Sequence, residues 1–421
     1  MLRKFISFFI IFFICVMFVS TGINAFLKTD KGDTSPQSKI ESETITDTPQ
    51  QQTVTNETEI LPALSNNSKK IVVNTVQGVW VTTVFNIDFP SKVSLSVDTL
   101  KLELDIIVSN CKNKNVNTIF FQVRPACDAF YNSDIFPMSK YLTGTQGKKL
   151  DNDFDVLAYL IKKAHENDIA LHAWINPYRV TASENDALST NSPAKKYPET
   201  VMKGSDNNLY FNPSSPKAQE IIIDGVRELV NKYDIDGIHF DDYFYPECEF
   251  DDSAEYKKYA NGMNLDDFRR NSVDTLIKNT YEQIKALNSA VEFGVSPQAI
   301  CKNFTVNIGN KQITTKGFET YTQAFADSEK WVINKWVDYI CPQIYWAIGD
   351  ERASFDAVAY HWSKLTDKHG VKLYIGHAAY KRDEFKADEY TKQLIFAKTL
   401  PAYKGSIFFT YSDLLKLENV F

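Results

Sequence analysis

The sequence predicts an α/β protein of the (β/α)8 TIM-barrel type, and three observations carry that prediction. Eight short apolar runs recur from Val76 onward in the 421-residue chain, and continuous runs of this kind mark parallel strands covered on both faces. The segments between them carry apolar residues at helical spacing. Polar side chains gather at the C-terminal ends of the runs, where long loops also begin, and in this fold those ends share one mouth.

Before the barrel come two segments of a different kind. Arg3 and Lys4 precede an apolar run from Phe5 to Val19. Residues 1–27 therefore have the pattern of a secretory signal, with cleavage after Ala25, or of an uncleaved membrane anchor. Either outcome makes the protein extracellular, secreted or held on the outer face of the cytoplasmic membrane. Residues 28–70 are rich in Thr, Ser, Gln, Glu and Asn with almost no apolar run. Such a composition cannot bury enough surface to fold, so it reads as a disordered tether. The barrel is then a single domain over residues 71–421.

The strands fall at 78–85, 117–125, 169–177, 236–243, 291–298, 338–346, 371–380 and 405–413. In the helix "SSPKAQEIIIDGVRELVNKY", Ser215 is placed to cap and Pro216 suits the first turn. Ala218, Ile221, Ile222, Gly225, Val226, Leu229 and Val230 then share one face, as do Leu100, Leu104, Ile107, Val108 and Cys111 after the first strand. The chain ends soon after the eighth strand, so the closing helix must be short. The connections after strands two, three, four and five are long, and such loops build substrate clefts at little cost in stability.

A formal charge of −7 excludes a nucleic-acid surface, which needs a basic face. Aromatic residues make up 13% of the chain, a supply that serves both barrel filling and sugar stacking. Of six cysteines one lies in the leader, and the other five have no metal-ligand spacing. They read as small buried hydrophobes, with room for one bridge among Cys127, Cys248 and Cys301. No cofactor and no metal is implied.

Alternate residues of a strand face the same way. Counting back from each C-terminal end places Gln122, Arg124, His172, Trp174, Asn176, His239, Asp241, Tyr243, Ser296, Gln298, Gln343, Tyr345 and His377 around the mouth. Glycosidic hydrolysis needs one carboxylic acid to protonate the leaving oxygen and one carboxylate to stabilise or attack the sugar cation. Asp241 points into the mouth. Its neighbour Asp242 points away unless the strand ends in a bulge. Glu247 and Asp128, on adjoining loops, are the other candidate acids.

The stretches "GVWVTTVFNIDFP", "FQVRPACDAFYNSDIFPMSKYLTG", "AWINPYRV", "DGIHFDDYFYP", "DFRRNSVDTLI", "FGVSPQ" and "WVDYICPQIYW" occur in order over about residues 76–380. Together they resemble the glycosyl hydrolase-like 10 family of bacterial surface proteins. The resemblance implies a (β/α)8 barrel and glycoside hydrolase activity, with peptidoglycan glycan strands as a substrate of some members. The strand-four stretch is also similar to the family 18 chitinase pattern DGxDxDxE. His239 and Tyr243 stand where that pattern has its first Asp and its catalytic Glu, which argues against a Glu proton donor here. Gln343 and Tyr345 resemble residues that hold an N-acetyl group in those chitinases. "SPQAICKN" departs from the bulkier, Trp-bearing loop expected of the family after strand five.

On this reading Asp241 faces the anomeric carbon or orients an attacking N-acetyl group, and Asp242 leads the candidate acids. Arg124 would grip a lactyl carboxylate through a bidentate bond. Trp174, Tyr178 and Trp346 would offer stacking platforms. Asn176, Gln343 and His377 would bond sugar hydroxyls, with Gln122, His239, Tyr243 and Tyr345 completing the lining. The partner is a cell-wall polysaccharide, and the membrane enters only through an uncleaved leader. Two rival functions stand beside this one. A wall-binding barrel without chemistry would keep the same aromatics. A metal-dependent hydrolase would need His172, His239, His377 and Asp241 to converge.

Overall fold

The computed structural model describes residues 71, 73–241, 244–418 and 420–421. The leader, the tether, Asp242 and Tyr243 lie outside the described residues. Eight parallel strands close into a barrel. They are β1 (Val76–Val81), β2 (Thr118–Arg124), β3 (Ala170–Ile175), β4 (Gly237–Phe240), β5 (Glu292–Val295), β6 (Tyr339–Ile340), β7 (Lys372–Ala378) and β8 (Tyr403–Phe409). Each pairs with its sequence neighbours, and β1 closes on β8.

Every anticipated strand is present, but the ladders stop earlier than the apolar runs do. The sixth is the extreme case, with only Tyr339 and Ile340 in the ladder. Pro342 follows and has no N–H to donate. Beyond it Gln343 bridges singly to Gln298 and to Gly376.

Eight helices wrap the barrel: α1 (Val97–Asn113), α2 (Val156–His165), α3 (Pro216–Lys232), α4 (Leu265–Leu287), α5 (Ser328–Ile333), α6 (Phe355–His369), α7 (Glu389–Lys398) and α8 (Tyr411–Leu414). The Ser215 side chain accepts from the Ala218 N–H at the start of α3, with Pro216 in the first turn as the sequence requires. Its anticipated apolar face is buried, and so is that of α1. The closing helix, α8, has four residues. Two hairpins were not foreseen in the sequence, at 201–211 and 305–314, inside the loops after β3 and β5.

The apolar residues form two layers. Between strands and helices lies the main core, while Val76, Trp80, Phe120, Trp174, Tyr339, Cys341, Tyr374 and Ile407 fill the barrel itself. Cys111, Cys127, Cys301 and Cys341 are buried thiols, Cys248 is half-buried, and all five are free, so the bridge left open above does not form. Two glycines make the interior fit. A Cβ on Gly237 would lie 2.3 Å from His172 Nδ1, and one on Gly294 would lie 2.0 Å from Tyr339 Cε2.

Gly294→Ala therefore has to push the Tyr339 ring out of place. Overpacking of this kind costs about 1–3 kcal/mol, and the expected result is a lower urea midpoint with an unchanged slope. A midpoint equal to wild type would show that the ring has room to move.

Candidate active site

Three rings meet at the heart of the barrel. His172 and His239 come from adjacent strands, β3 and β4, and Tyr339 reaches both from β6. Its hydroxyl is 3.1 Å from His172 Nδ1 and 3.0 Å from His239 Nδ1. Trp80 Nε1–H donates to His239 Nε2 at 3.1 Å. An indole N–H only donates, so Nε2 carries no proton. Burial and the neighbouring His172 hold His239 well below its usual range, and it is neutral. Its proton therefore sits on Nδ1 and is donated to the Tyr339 oxygen. Tyr339 then donates onward to His172 Nδ1, and the direction of every bond is set.

Ser296, at the C-terminal end of β5, joins this floor to the mouth. Its Oγ is 2.9 Å from His239 Nε2 and 3.3 Å from Asp241 Oδ1. Because Nε2 has no proton, the serine hydroxyl can only donate to it, sharing the nitrogen's single lone pair with the Trp80 N–H. Its oxygen is then left to accept from a protonated Asp241. With Asp241 ionised, the same hydroxyl turns to the carboxylate instead.

Asp241 follows β4 directly, and its side chain is half-buried. Gln343 Nε2 donates to Oδ1 at 2.9 Å and also to the Ser296 carbonyl at 3.1 Å. Burial pushes the carboxyl up to about 6, against the downward pull of Arg179 and of hydrogen bonds from Ser296, Gln343 and Asn176. A carboxyl tuned to this range changes protonation readily near neutral pH, as general acid–base groups must.

Gln122 and Asn176 are spent on building the mouth. Gln122 Oε1 accepts the N–H groups of Thr83 and Val84, both at 2.9 Å, and its amide donates to Asn176 Oδ1 at 2.6 Å. Asn176 Nδ2 in turn reaches the Asp241 carbonyl at 3.4 Å. Glu247 is exposed at the rim, where its carboxylate accepts from Gln298 Nε2 at 2.6 Å. Gln298 pairs with Gln343, so a chain of contacts connects Glu247 to Asp241. Tyr345 and Trp346 are partly exposed beyond β6, and Tyr345 lies nearly parallel to Phe409 at 6.5 Å.

Several anticipated positions are corrected. The β2–β3 register slips between Gln122 and Arg124, which turns Arg124 outward to pair with Ile175. It is 1% exposed, stacks 4.5 Å from Phe136 and donates to the Pro177 carbonyl at 2.6 Å. It cannot grip a substrate. The cation near Asp241 is Arg179, four residues beyond β3, a position that strand alternation does not reach.

His377 also faces outward. It is 0% exposed, bonded to Gln393 of α7 and Ser406 of β8, and stacked on Phe408 at 4.7 Å. Tyr178 belongs to the outer core and Trp174 to the barrel filling, so neither is an open platform. His239 is fully buried beneath Asp241 and acts on the site only through Ser296. Asp128 is buried below its loop, accepting from Ser139 Oγ at 2.8 Å, and is not presented to substrate. The histidines of the metal reading do not converge, since His377 stands outside the barrel. Among the described residues no three His, Cys, Asp or Glu side chains are grouped as metal ligands.

Two variants follow from this geometry. Ser296→Ala removes a bond that lowers the Asp241 pKa, so the corresponding limb of a pH–rate profile should move above its wild-type position near 6. An unmoved limb would show that Ser296 does not govern this carboxyl. Asp128 is likewise raised to about 6, chiefly by burial. Between about pH 4 and 6 the folded chain holds a proton there that the unfolded chain releases, so this group's stabilisation declines as pH rises through that window. Asp128→Asn should keep activity and flatten that part of the stability curve. Loss of activity in a folded variant would return Asp128 to the list of acids.

Comparison with known proteins agrees with this fold. Residues 75–391 match the family described as Glycosyl hydrolase-like 10. The chain is 39% identical over 355 residues to glycosyl hydrolase YngK of Bacillus subtilis (strain 168), covering 81% of this chain and 69% of that one. It is 32% identical over 376 residues to glycosyl hydrolase DigH of Escherichia coli (strain K12), covering 82% and 84%. Among solved structures, the PgaB (BpsB) glycoside hydrolase domain from Bordetella bronchiseptica shares the fold, with a TM-score of 0.55. It does so at 10% identity, over 83% of this chain and 96% of that one. The chain thus belongs to the glycosyl hydrolase-like 10 family and is a glycoside hydrolase built on a (β/α)8 barrel.

Proposed function

We propose that the protein cuts the glycan strands of peptidoglycan, chains of N-acetylated sugars, outside the cytoplasm. The observation that carries this reading is the setting of Asp241. It is a half-buried carboxyl at the C-terminal end of β4, held by Gln343 and Ser296 and raised to about 6. Barrel enzymes keep their chemistry at that face.

The hydrolysis needs two carboxyl roles. Asp241 is the central one, facing the anomeric carbon or orienting an N-acetyl group for attack. Gln343 is bonded to it and Tyr345 lies two residues on, which suits the holding of that N-acetyl group. The second role falls to Asp242, next in the chain, or to Glu247 at the rim. Arg179 takes over the recognition of an acidic sugar substituent that the sequence assigned to Arg124. Coulombic interaction with Asp241 supports its place at the mouth. The basic, apolar leader and the polar tether support delivery of the barrel to the wall side of the membrane.

The test is mass spectrometry of peptidoglycan glycan strands, with and without stem peptides, after incubation with wild type and with Asp241→Asn. Fragments are expected from wild type and at least about a hundredfold fewer from the variant, while both proteins still sediment with the strands. Binding by both without fragments from either would mean a wall-binding barrel that has lost the chemistry.

A further inference from the structure

Phe85 lies four residues beyond β1, on the mouth side of the barrel, and its backbone is left-handed (φ 55, ψ 17). For a bulky side chain this region is a true outlier, whereas glycine or asparagine enters it with ease. The ring is nevertheless 43% exposed, so burial does not explain why an aromatic residue occupies a strained position. Strain of this kind persists only where neighbouring contacts over-determine the backbone, and it collects at functional sites.

Those neighbouring contacts are present on both sides. Thr83 and Val84 donate their N–H groups to Gln122 Oε1, both at 2.9 Å. Asn86 Nδ2 donates to the Tyr141 carbonyl at 2.9 Å and to the Pro90 carbonyl at 3.0 Å. Asp88 accepts from the Thr82 N–H on one oxygen and the Ser412 N–H on the other, both at 2.9 Å. The chain on either side of Phe85 is thus tied to β2, to the loop after β2 and to the start of α8. The Phe85 ring meets Tyr141 edge-on, with centroids 5.9 Å apart. Arg179 interacts electrostatically with both Tyr141 and Asp241, which links this corner to the carboxyl.

We infer that Phe85, braced by Tyr141, is a stacking platform for a sugar ring of the glycan strand, one or more residues along from the bond at Asp241. This rests on the proposed glycan substrate. A sugar presents an apolar C–H face, and an aromatic ring held rigid before binding gives up little entropy on contact. Of the three platforms expected from sequence, Trp174 and Tyr178 are packed away and Trp346 stays partly exposed beyond β6, so Phe85 would add a second ring, beyond β1.

The experiment compares binding of stem-free peptidoglycan glycan oligomers, from two to eight sugars by design, to Asp241→Asn and to the double variant Asp241→Asn/Phe85→Ala. Isothermal titration reads the affinities, and cleavage by the wild type is followed on the same oligomers. The expected result is about tenfold weaker binding of the longest oligomers by the double variant, with the loss fading for the shortest. Its urea midpoint should match that of the single variant, since alanine keeps the Cβ that the left-handed backbone disfavours and loss of a 43% exposed ring opens no core cavity. Cleavage by wild type together with equal affinities at every length would overturn the platform and leave the hydrolase reading standing. If wild type neither cuts nor binds any oligomer, the substrate reading falls and the platform with it. A lowered urea midpoint with unchanged affinity would make Phe85 a structural residue and would also overturn the inference.

Discussion

The indole N–H of Trp80 can donate a hydrogen bond and never accept one, and the polar interior of the barrel takes its direction from that constraint. It fixes the proton of His239 on Nδ1, makes Tyr339 a relay to His172, and leaves Ser296 as the donor toward His239. In a low-dielectric core such bonds are strong and an unsatisfied member is costly, so one fixed donor constrains its neighbours. The geometry of Asp241 is inherited from this floor. Gly237 and Gly294 belong to the same constraint, because they clear the space that the two inner rings occupy.

Above the floor, the mouth is shaped less by the strands than by where their ladders fail. The slip after Gln122 sends Arg124 outward, and the early end of β6 frees Gln343 to reach Asp241. Gln122 is then consumed in holding the Thr83–Val84 turn. A side chain predicted to touch substrate has become the brace for the loop that carries Phe85.

These irregularities also decide how much could be read in advance. The eight strands were legible because each is a continuous apolar run, and the helices because their buried faces recur at helical spacing. Asp241 was legible because strict alternation holds through β4 to its end. His377 was not, since its strand turns Tyr374 and Gly376 inward toward the barrel filling, and the position between Gly376 and Ala378 falls on the outer face. Arg179 and Phe85 carry no periodic signal at all. They sit just past strand ends, in loops whose course is fixed by long-range bonds such as Asn86 to Tyr141 and Asp88 to Ser412.

The division between floor and rim has a chemical logic. A carboxyl deep in a barrel is pushed toward its neutral form by desolvation, and charge or hydrogen bonds must draw it back. Asp241 stands between these influences, with burial on one side and Arg179, Gln343, Ser296 and Asn176 on the other. Glu247, exposed and bonded only to Gln298 among the described contacts, meets a quite different environment. Glycosidic hydrolysis asks for two carboxyls in unlike environments, and the half-buried end of β4 and the exposed rim differ in that way. The buried rings beneath Asp241 thus matter beyond packing: His239 gives the Ser296 hydroxyl an acceptor while Asp241 is protonated, and the hydroxyl turns to the carboxylate once it ionises.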